Sequence, residues 1–178
     1  FIANMFFEKY LERNPVVIFV VDRKDLQKQL IDDFLEAIKA PKFKDYLKRI
    51  ESIEELKQEI ATIKRSEYKQ NIITKRIYVV LIQKFQREEF ENLLLELAQE
   101  QLQYLEQMEP DRYREIQDQL QTLPEDEKRR KLMEIGGIQK KEVLLLIDEA
   151  HRSQYGLLAS MMKNVFPNAM RFAFTGTP

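Results

Sequence analysis

Four short, uninterrupted apolar runs, each followed at once by polar residues or a turn, constrain the fold of this chain more than any other feature. They span residues 16–21, 77–82, 143–147 and 172–174. Continuous apolar runs of this length are typical of strands that are covered on both faces, as they are in parallel sheets. Amphipathic helical patterns alternate with the runs. The sequence therefore predicts an α/β fold in three layers, with a mostly parallel sheet and helices on both of its faces.

Local signals place helices between the predicted strands. Residues 1–13 carry apolar side chains at helical spacing. Asp22 directly follows the first strand and is suited to cap the helix that comes next. Ser52 and Glu55 match a capping box, in which a hydroxyl and a carboxylate satisfy the free N–H groups of a helix start. We therefore expect strands and helices to alternate up to residue 82.

A different pattern occupies residues 87–137, which contain three amphipathic helical stretches in place of the alternation. Pro110 and Pro124 separate the stretches, and Gly136-Gly137 ends the last one as a helix C-cap. We interpret this segment as a helical insertion at the rim of the sheet. A docking arm for a partner subunit is the alternative. The apolar stripe of its first helix consists of Phe90, Leu94, Leu97, Leu105 and Met108.

Composition excludes several classes of protein. The chain has 178 residues, of which 44% are hydrophobic and 33% charged, and this excludes a disordered tail. Its 29 basic and 30 acidic residues give a net charge of −1, so any contact with DNA must use a local basic patch. Without cysteine it forms no disulfide, thiolate metal site or Cys nucleophile. No apolar run approaches the ~18 residues of a membrane span, and we expect a cytoplasmic protein that contacts no membrane.

The acidic motif Asp148-Glu149-Ala150-His151 follows the third apolar run and carries the clearest chemistry. Open α/β sheets bind their ligands at the C-terminal ends of the strands. A carboxylate there can hold Mg²⁺, which prefers oxygen ligands, and a second carboxylate can activate the water that attacks a γ-phosphate. We therefore assign Asp148 to Mg²⁺ and Glu149 to the water. The alternative is a simple helix start, where acidic residues are favourable.

A turn motif, Thr175-Gly176-Thr177-Pro178, follows the fourth apolar run. Taken alone it is an ordinary tight turn with two hydroxyl groups beside a glycine. Neighbouring parallel strands would bring Thr175 and Thr177 beside His151, the only histidine of the chain. Such a contact would link a nucleotide site to another surface of the protein. We therefore expect a functional role for His151.

Polar and basic residues follow the first and second runs as well. Arg23 and Lys24 lie at a strand-to-helix turn, where cations and a helix N-terminus favour phosphate. Gln83 and Lys84 occupy the corresponding place after the second run. Both pairs are therefore candidates for contacts with a nucleic-acid backbone. The alternative for each pair is an ordinary polar loop.

In this order, the motifs resemble those of the first RecA-like motor domain of superfamily 2 helicases and translocases. Within that superfamily the chain is similar to the R subunit, the motor and endonuclease subunit, of type I restriction enzymes. The most specific run is D-E-A-H-R-S-Q-Y-G at residues 148–156. Residues 21–30, 82–85 and 166–178 fit the same family. The resemblance covers residues 1–87 and 140–178, and the helical region between them contains no motif of the family.

The resemblance implies a RecA-like fold and an ATP-driven translocase of double-stranded DNA within a restriction complex. It implies Mg²⁺ and ATP as cofactors of the parent protein, with a methyltransferase subunit and a DNA-specificity subunit as partners. It places Mg²⁺ at Asp148 and water activation at Glu149. The residues directed toward DNA would be Arg23, Lys24, Gln83 and Lys84, and those that couple hydrolysis to movement would be His151, Arg152, Gln154, Thr175, Gly176 and Thr177.

Two departures from the family limit what the chain can do alone. The phosphate-binding loop G-x-x-x-x-G-K-[ST] is absent, because none of the four glycines leads into Lys-Ser/Thr. Val80 and Leu81 stand where the family usually has threonine, which argues against a hydroxyl contact with DNA there. We interpret residues 1–178 as an incomplete first motor domain from inside a longer protein. We expect it to bind nucleotide weakly or not at all and not to hydrolyse it.

Two other functions fit the residues. A different superfamily 2 translocase, such as a repair or remodelling helicase, would share most motifs but not the continuation from Arg152 to Gly156. A non-catalytic RecA-like module that binds proteins through its helical arm would explain the absent phosphate loop. A steep loss of DNA affinity with salt would separate a DNA-backbone binder from such a module.

Overall fold

One sheet of five parallel strands forms the centre of the computed structural model, which describes residues 15–21, 23–37, 45–69, 76–81, 87–148 and 155–174. The strands are β1 (Val16–Val21), β2 (Leu47–Arg49), β3 (Ile77–Leu81), β4 (Val143–Asp148) and β5 (Met170–Phe174). Their order across the sheet is β2-β3-β1-β4-β5, and every neighbouring pair is parallel. This arrangement confirms the predicted α/β fold and is consistent with an incomplete RecA-like domain.

Six helices lie in the described part of the chain. They are α1 (Lys24–Ala37), α2 (Ile53–Ser66), α3 (Arg87–Met108), α4 (Pro110–Gln121), α5 (Glu125–Gly136) and α6 (Tyr155–Val165). None of these helices combines the length and the apolar character needed to cross a membrane. The helix predicted over residues 1–13 and the cap predicted at Asp22 lie outside the described residues.

The sequence patterns did not indicate strand β2. It has three residues, and Leu47 is the only apolar one among them. It lies at the edge of the sheet and pairs with β3 alone. An edge strand buries less of its surface than a central one, so no continuous apolar run is needed to form it.

The two faces of the sheet are covered unequally. On one face a large apolar cluster joins the strands to helices α2, α3 and α6. On the other face a smaller cluster forms around Val21, Val79 and Leu81, and among the described helices only α1 packs against it. As a result β1 and β3 are buried almost throughout, whereas buried and half-exposed residues alternate along β4. Among the described residues, one face of β4 is therefore less covered than the same face of β1 and β3.

Helix α3 belongs to the main core, which differs from the predicted insertion at the rim. Its residues Phe90, Leu94 and Leu97 are each 1% exposed and join the large cluster against the sheet. Met108 was predicted to continue this stripe, but it is 63% exposed because α3 ends there. Helix α4 buries only Leu120. The rim position therefore describes α4 better than α3.

Candidate functional site

The C-terminal edge of the sheet gathers the ends of strands that are far apart in the sequence. The register pairs Val21 with Leu81, Val20 with Ile147, and Asp148 with Phe174. The chain leaves β1 toward β2 on one side of the sheet and leaves β4 toward β5 on the other side. The connections therefore diverge between β1 and β4, and such a switch point is the usual ligand site of an open parallel sheet.

A cavity of about 370 Å³ lies at this switch point. Strand β1, helix α1 and strand β4 each contribute to its wall. Most of the lining is apolar, with the amide of Gln29 and the carboxylates of Asp33 and Asp148 as polar groups. The lining residues are Phe19, Val20, Val21, Leu26, Gln29, Leu30, Asp33, Leu146 and Asp148.

Asp148 is the predicted metal residue that the structure places at this edge. It is the last residue of β4, is half-buried, and has no hydrogen bond or ion pair with any described residue. A carboxylate with free oxygen atoms beside an open cavity fits Mg²⁺, which takes few protein ligands and keeps several waters. In the described ranges, no three His, Cys, Asp or Glu side chains cluster closely enough to hold a metal. Asp148 is therefore suited to act as one protein ligand among waters and phosphate oxygens.

The seven other predicted site residues of the acidic and Thr-Gly-Thr motifs lie outside the described residues. Strands β4 and β5 end side by side, because Asp148 pairs with Phe174. The acidic motif and the Thr-Gly-Thr motif therefore both continue from neighbouring strand ends. The residues concerned are Glu149, His151, Arg152, Gln154, Thr175, Gly176 and Thr177.

The first predicted basic pair is exposed at the same edge. Arg23 precedes helix α1, and Lys24 is its first residue. The carbonyl oxygen of Arg23 accepts a hydrogen bond from the backbone N–H of Gln27 at 3.0 Å, which closes the first turn. Gln83 and Lys84 lie outside the described residues. Arg23 and Lys24 thus stand where a ligand above the strand ends could reach them.

Strand β3 ends in apolar residues at the positions where the sequence departs from the family pattern. Val80 and Leu81, which replace the family's threonine, are 0% and 6% exposed. Both side chains pack in apolar surroundings on opposite faces of the sheet. Neither side chain is therefore exposed to contact a ligand at this edge.

Two polar residues near the edge were not predicted as site residues. Asp33 lines the cavity one helical turn after Gln29. Because residues four apart lie on the same face of a helix, this spacing could have indicated that the two side chains share a site. Gln27 faces away from the cavity and is buried beneath the first turn of α1. Its partners lie on β3 and after β2, so no local pattern could have indicated them.

Comparison with known proteins finds one family and several relatives. A family model of SWI2/SNF2 ATPases matches residues 1–178. The chain is 38% identical, over 225 aligned positions, to a protein of Methanocaldococcus jannaschii named as the endonuclease subunit of the type I restriction enzyme MjaVIIP. It is 30% identical over 178 residues to the subunit named for MjaVIIIP in the same organism. Over 37 residues it is 51% identical to a type I restriction enzyme endonuclease subunit of Staphylococcus aureus.

Each alignment covers a different share of this chain and of the relative. The two archaeal alignments include 100% of this chain but only 21% and 14% of the respective relatives. The staphylococcal alignment includes 21% of this chain and 4% of the relative. The chain therefore spans about a fifth or less of the length of these relatives. The resemblance to type I restriction endonuclease subunits that the motifs indicated is confirmed.

Proposed function

Because the chain belongs to the SWI2/SNF2 ATPase family, we propose that it forms part of the ATP-dependent, DNA-translocating motor of a type I restriction enzyme subunit. The observation that carries this proposal is Asp148. It is a half-exposed carboxylate that pairs with no described residue, it lies at the switch point of a parallel sheet, and it opens the D-E-A-H motif. The names of the relatives add the restriction system, since both alignments that cover the whole chain are with type I endonuclease subunits.

In this proposal Asp148 holds Mg²⁺ together with the phosphates of ATP. The bound ion would neutralise charge on the phosphate oxygens, which phosphoryl transfer requires. Glu149 orients the attacking water and takes its proton. The cavity between α1 and strands β1 and β4 leaves space beside Asp148 for a ligand.

The remaining roles follow the order of the motifs. Arg23 and Lys24 contact the phosphate backbone of double-stranded DNA, and their exposure at the strand edge supports this role. Gln83 and Lys84 are proposed to make the corresponding contacts after β3. The residues that we propose couple hydrolysis to movement are His151, Arg152, Gln154, Thr175, Gly176 and Thr177.

The 178-residue chain is proposed to be inactive by itself. No G-x-x-x-x-G-K-[ST] sequence occurs in it, so it lacks the backbone N–H groups and the lysine that surround the β and γ phosphates. A methyltransferase subunit and a DNA-specificity subunit are the proposed partners of the parent protein. Its location would be the cytoplasm, where cellular DNA and ATP meet in a prokaryote.

The test is the Asp148→Asn variant of the complete subunit, assembled with its methyltransferase and specificity subunits. Asparagine keeps the shape of the side chain but removes the charge that holds Mg²⁺. We expect DNA-stimulated ATP hydrolysis to fall by at least about 100-fold, while assembly of the complex is retained. Asp118→Asn, which alters an exposed aspartate on helix α4, is the matched control and should leave the rate unchanged. Unchanged hydrolysis by Asp148→Asn would overturn the proposal.

A further inference from the structure

A buried amide, Gln27, connects three elements at the C-terminal edge of the sheet. The residue is 1% exposed. Its Nε2 donates hydrogen bonds to the carbonyl oxygen of Val79 at 2.9 Å and to that of Ile50 at 3.2 Å. Its Oε1 accepts a hydrogen bond from Arg49 Nε at 3.1 Å. Helix α1, the end of β2 and strand β3 are thus joined through one side chain.

The chemistry of this position suits glutamine specifically. Two carbonyl oxygens face one end of the side chain and a guanidinium donor faces the other, so both ends of the amide are defined by their partners. A glutamate would bring a negative charge against the two carbonyl oxygens. A methionine of similar size would leave the carbonyl of Ile50 without this donor, and a buried unpaired group is costly.

This network fixes the turn that carries the exposed basic pair. The backbone N–H of Gln27 bonds to the carbonyl oxygen of Arg23, so the buried amide lies one turn below Arg23 and Lys24. The apolar cluster between α1 and the sheet is small, with three buried residues at its centre. Apolar contacts have no preferred direction, whereas hydrogen bonds do. The amide therefore sets the position of this turn relative to the ends of β2 and β3.

We propose that Gln27 is a positioning residue for DNA binding, which holds Arg23 and Lys24 in the geometry that meets the phosphate backbone. Arg49 completes the network from the surface, where its side chain is 40% exposed. The inference rests on the proposed function, because it assigns Gln27 a role in the DNA contacts named there. Gln27 itself is buried and does not touch DNA.

The experiment measures ATP hydrolysis against DNA concentration in the complete restriction complex. For Gln27→Met we expect the DNA concentration at half-maximal stimulation to rise by about five- to tenfold, as for the loss of one or two hydrogen bonds. The rate at saturating DNA should stay within about twofold, since the variant leaves the nucleotide site intact. Gln101→Met, the same substitution at a half-buried site on α3, is the matched control and should change neither quantity.

A second comparison separates positioning from general stability. In a background of Arg23→Gln and Lys24→Gln, Gln27→Met should raise the half-saturating DNA concentration no further, because the residues it positions are gone. Arg49→Met changes a partly exposed side chain and preserves the fold, so it tests the network even if Gln27→Met does not fold. For Arg49→Met we expect the half-saturating DNA concentration to rise two- to threefold, which corresponds to about half the free energy of one hydrogen bond.

The outcomes are distinct for the two proposals. If Arg49→Met and a folded Gln27→Met lower the melting temperature but leave the half-saturating DNA concentration unchanged, Gln27 is only structural and the inference is overturned. An additive effect in the double-variant background would also overturn it. If the wild-type complex hydrolyses ATP without any stimulation by DNA, the proposed function itself fails, and the inference fails with it.

Discussion

Two polar side chains are buried among apolar neighbours in the described part of the chain, and backbone carbonyl groups hold both of them. Gln27 is described above, and Lys64 on helix α2 is also 1% exposed. Lys64 Nζ donates to the carbonyl oxygen of Gly137 at 2.7 Å and to Glu67 Oε2 at 3.3 Å. The other carboxylate oxygen of Glu67 accepts from the backbone N–H of Lys140 at 2.7 Å. Lys64 and Glu67 therefore anchor the segment that leads into β4.

Burial lowers the pKa of Lys64, and Glu67 offsets this effect in part. Between the lowered pKa and the ordinary one, the unfolded chain binds more protons than the folded chain, so folding stability rises with pH in that window. Below that window both states are protonated and the cost of burying the charge is present in full. We expect the free energy of unfolding of the wild-type chain to rise, relative to Lys64→Met, as the pH increases through this window toward about pH 10.

Chemical denaturation of both proteins at several pH values measures this difference. Lys28→Met, which changes an exposed lysine on α1, is the control and should parallel the wild type at every pH. A wild-type curve that stays parallel to that of Lys64→Met would show that the buried amine does not titrate differently in the folded state.

At the scale of elements, close packing between helices explains the glycine pair at the end of α5. Gly137 is the C-cap, as predicted, but its φ of −66° needs no left-handed residue. Glycine is required at these two positions because neighbouring helices lie close to the backbone there. A Cβ atom on Gly136 would lie 1.8 Å from the carbonyl oxygen of Leu94 in α3, and one on Gly137 would lie 2.7 Å from that of Asn164 in α6. The two glycines therefore allow α5 to contact its neighbours closely.

We predict that Gly136→Ala lowers the free energy of unfolding by about 3 kcal/mol or more, because the clash is with backbone atoms that cannot rotate away. Denaturation followed by circular dichroism measures the loss. Gln107→Ala, at an exposed position of α3, serves as the comparison and should change stability by less than about 0.5 kcal/mol. A Gly136→Ala protein as stable as that control would mean that α3 and α5 are not in such close contact.

In the described part of the molecule, three helices cover one face of the sheet and α1 alone packs against the other. Helices α2, α3 and α6 bury one face of the sheet, and Arg65 on α2 binds Glu100 on α3 through two hydrogen bonds of 2.7 and 2.8 Å. On the outer strand β5, Met170 and Phe172 are 47% and 52% exposed. Strand β5 lies beside β4, the strand that carries Asp148. The sequence supplies the carboxylate at this edge but no phosphate-binding loop.

We expect the 178-residue chain to show no saturable binding of Mg²⁺-ATP below about 1 mM and no hydrolysis, because one aspartate cannot replace the N–H groups of the absent loop. Fluorescent-nucleotide titration and a phosphate-release assay measure the two activities. The complete subunit, tested in parallel, should bind and hydrolyse ATP. Hydrolysis by the 178-residue chain that Glu149→Gln abolishes would contradict this prediction.

Much of the fold was predictable because its signals are local. Short continuous apolar runs predict strands, and the four runs correspond to β1, β3, β4 and β5. The capping box at Ser52 is confirmed in part, since Ser52 Oγ accepts from the N–H of Glu55 at 3.1 Å. The Glu55 carboxylate accepts a hydrogen bond from the backbone N–H of Glu51, whereas a full capping box would use the N–H of Ser52. The position of Asp148 at the strand end followed from the same local pattern.

The sequence by itself determined which segments form strands and helices and which strand end carries the acidic motif, because apolar runs and capping residues act over a few neighbouring positions. Only the tertiary structure decided the strand order, the edge strand β2, the burial of α3 and the need for glycine at position 136. It also decided that Gln27 bonds to Val79 and Ile50. Each of these features depends on atoms brought together from distant parts of the chain, and no local pattern specifies such contacts.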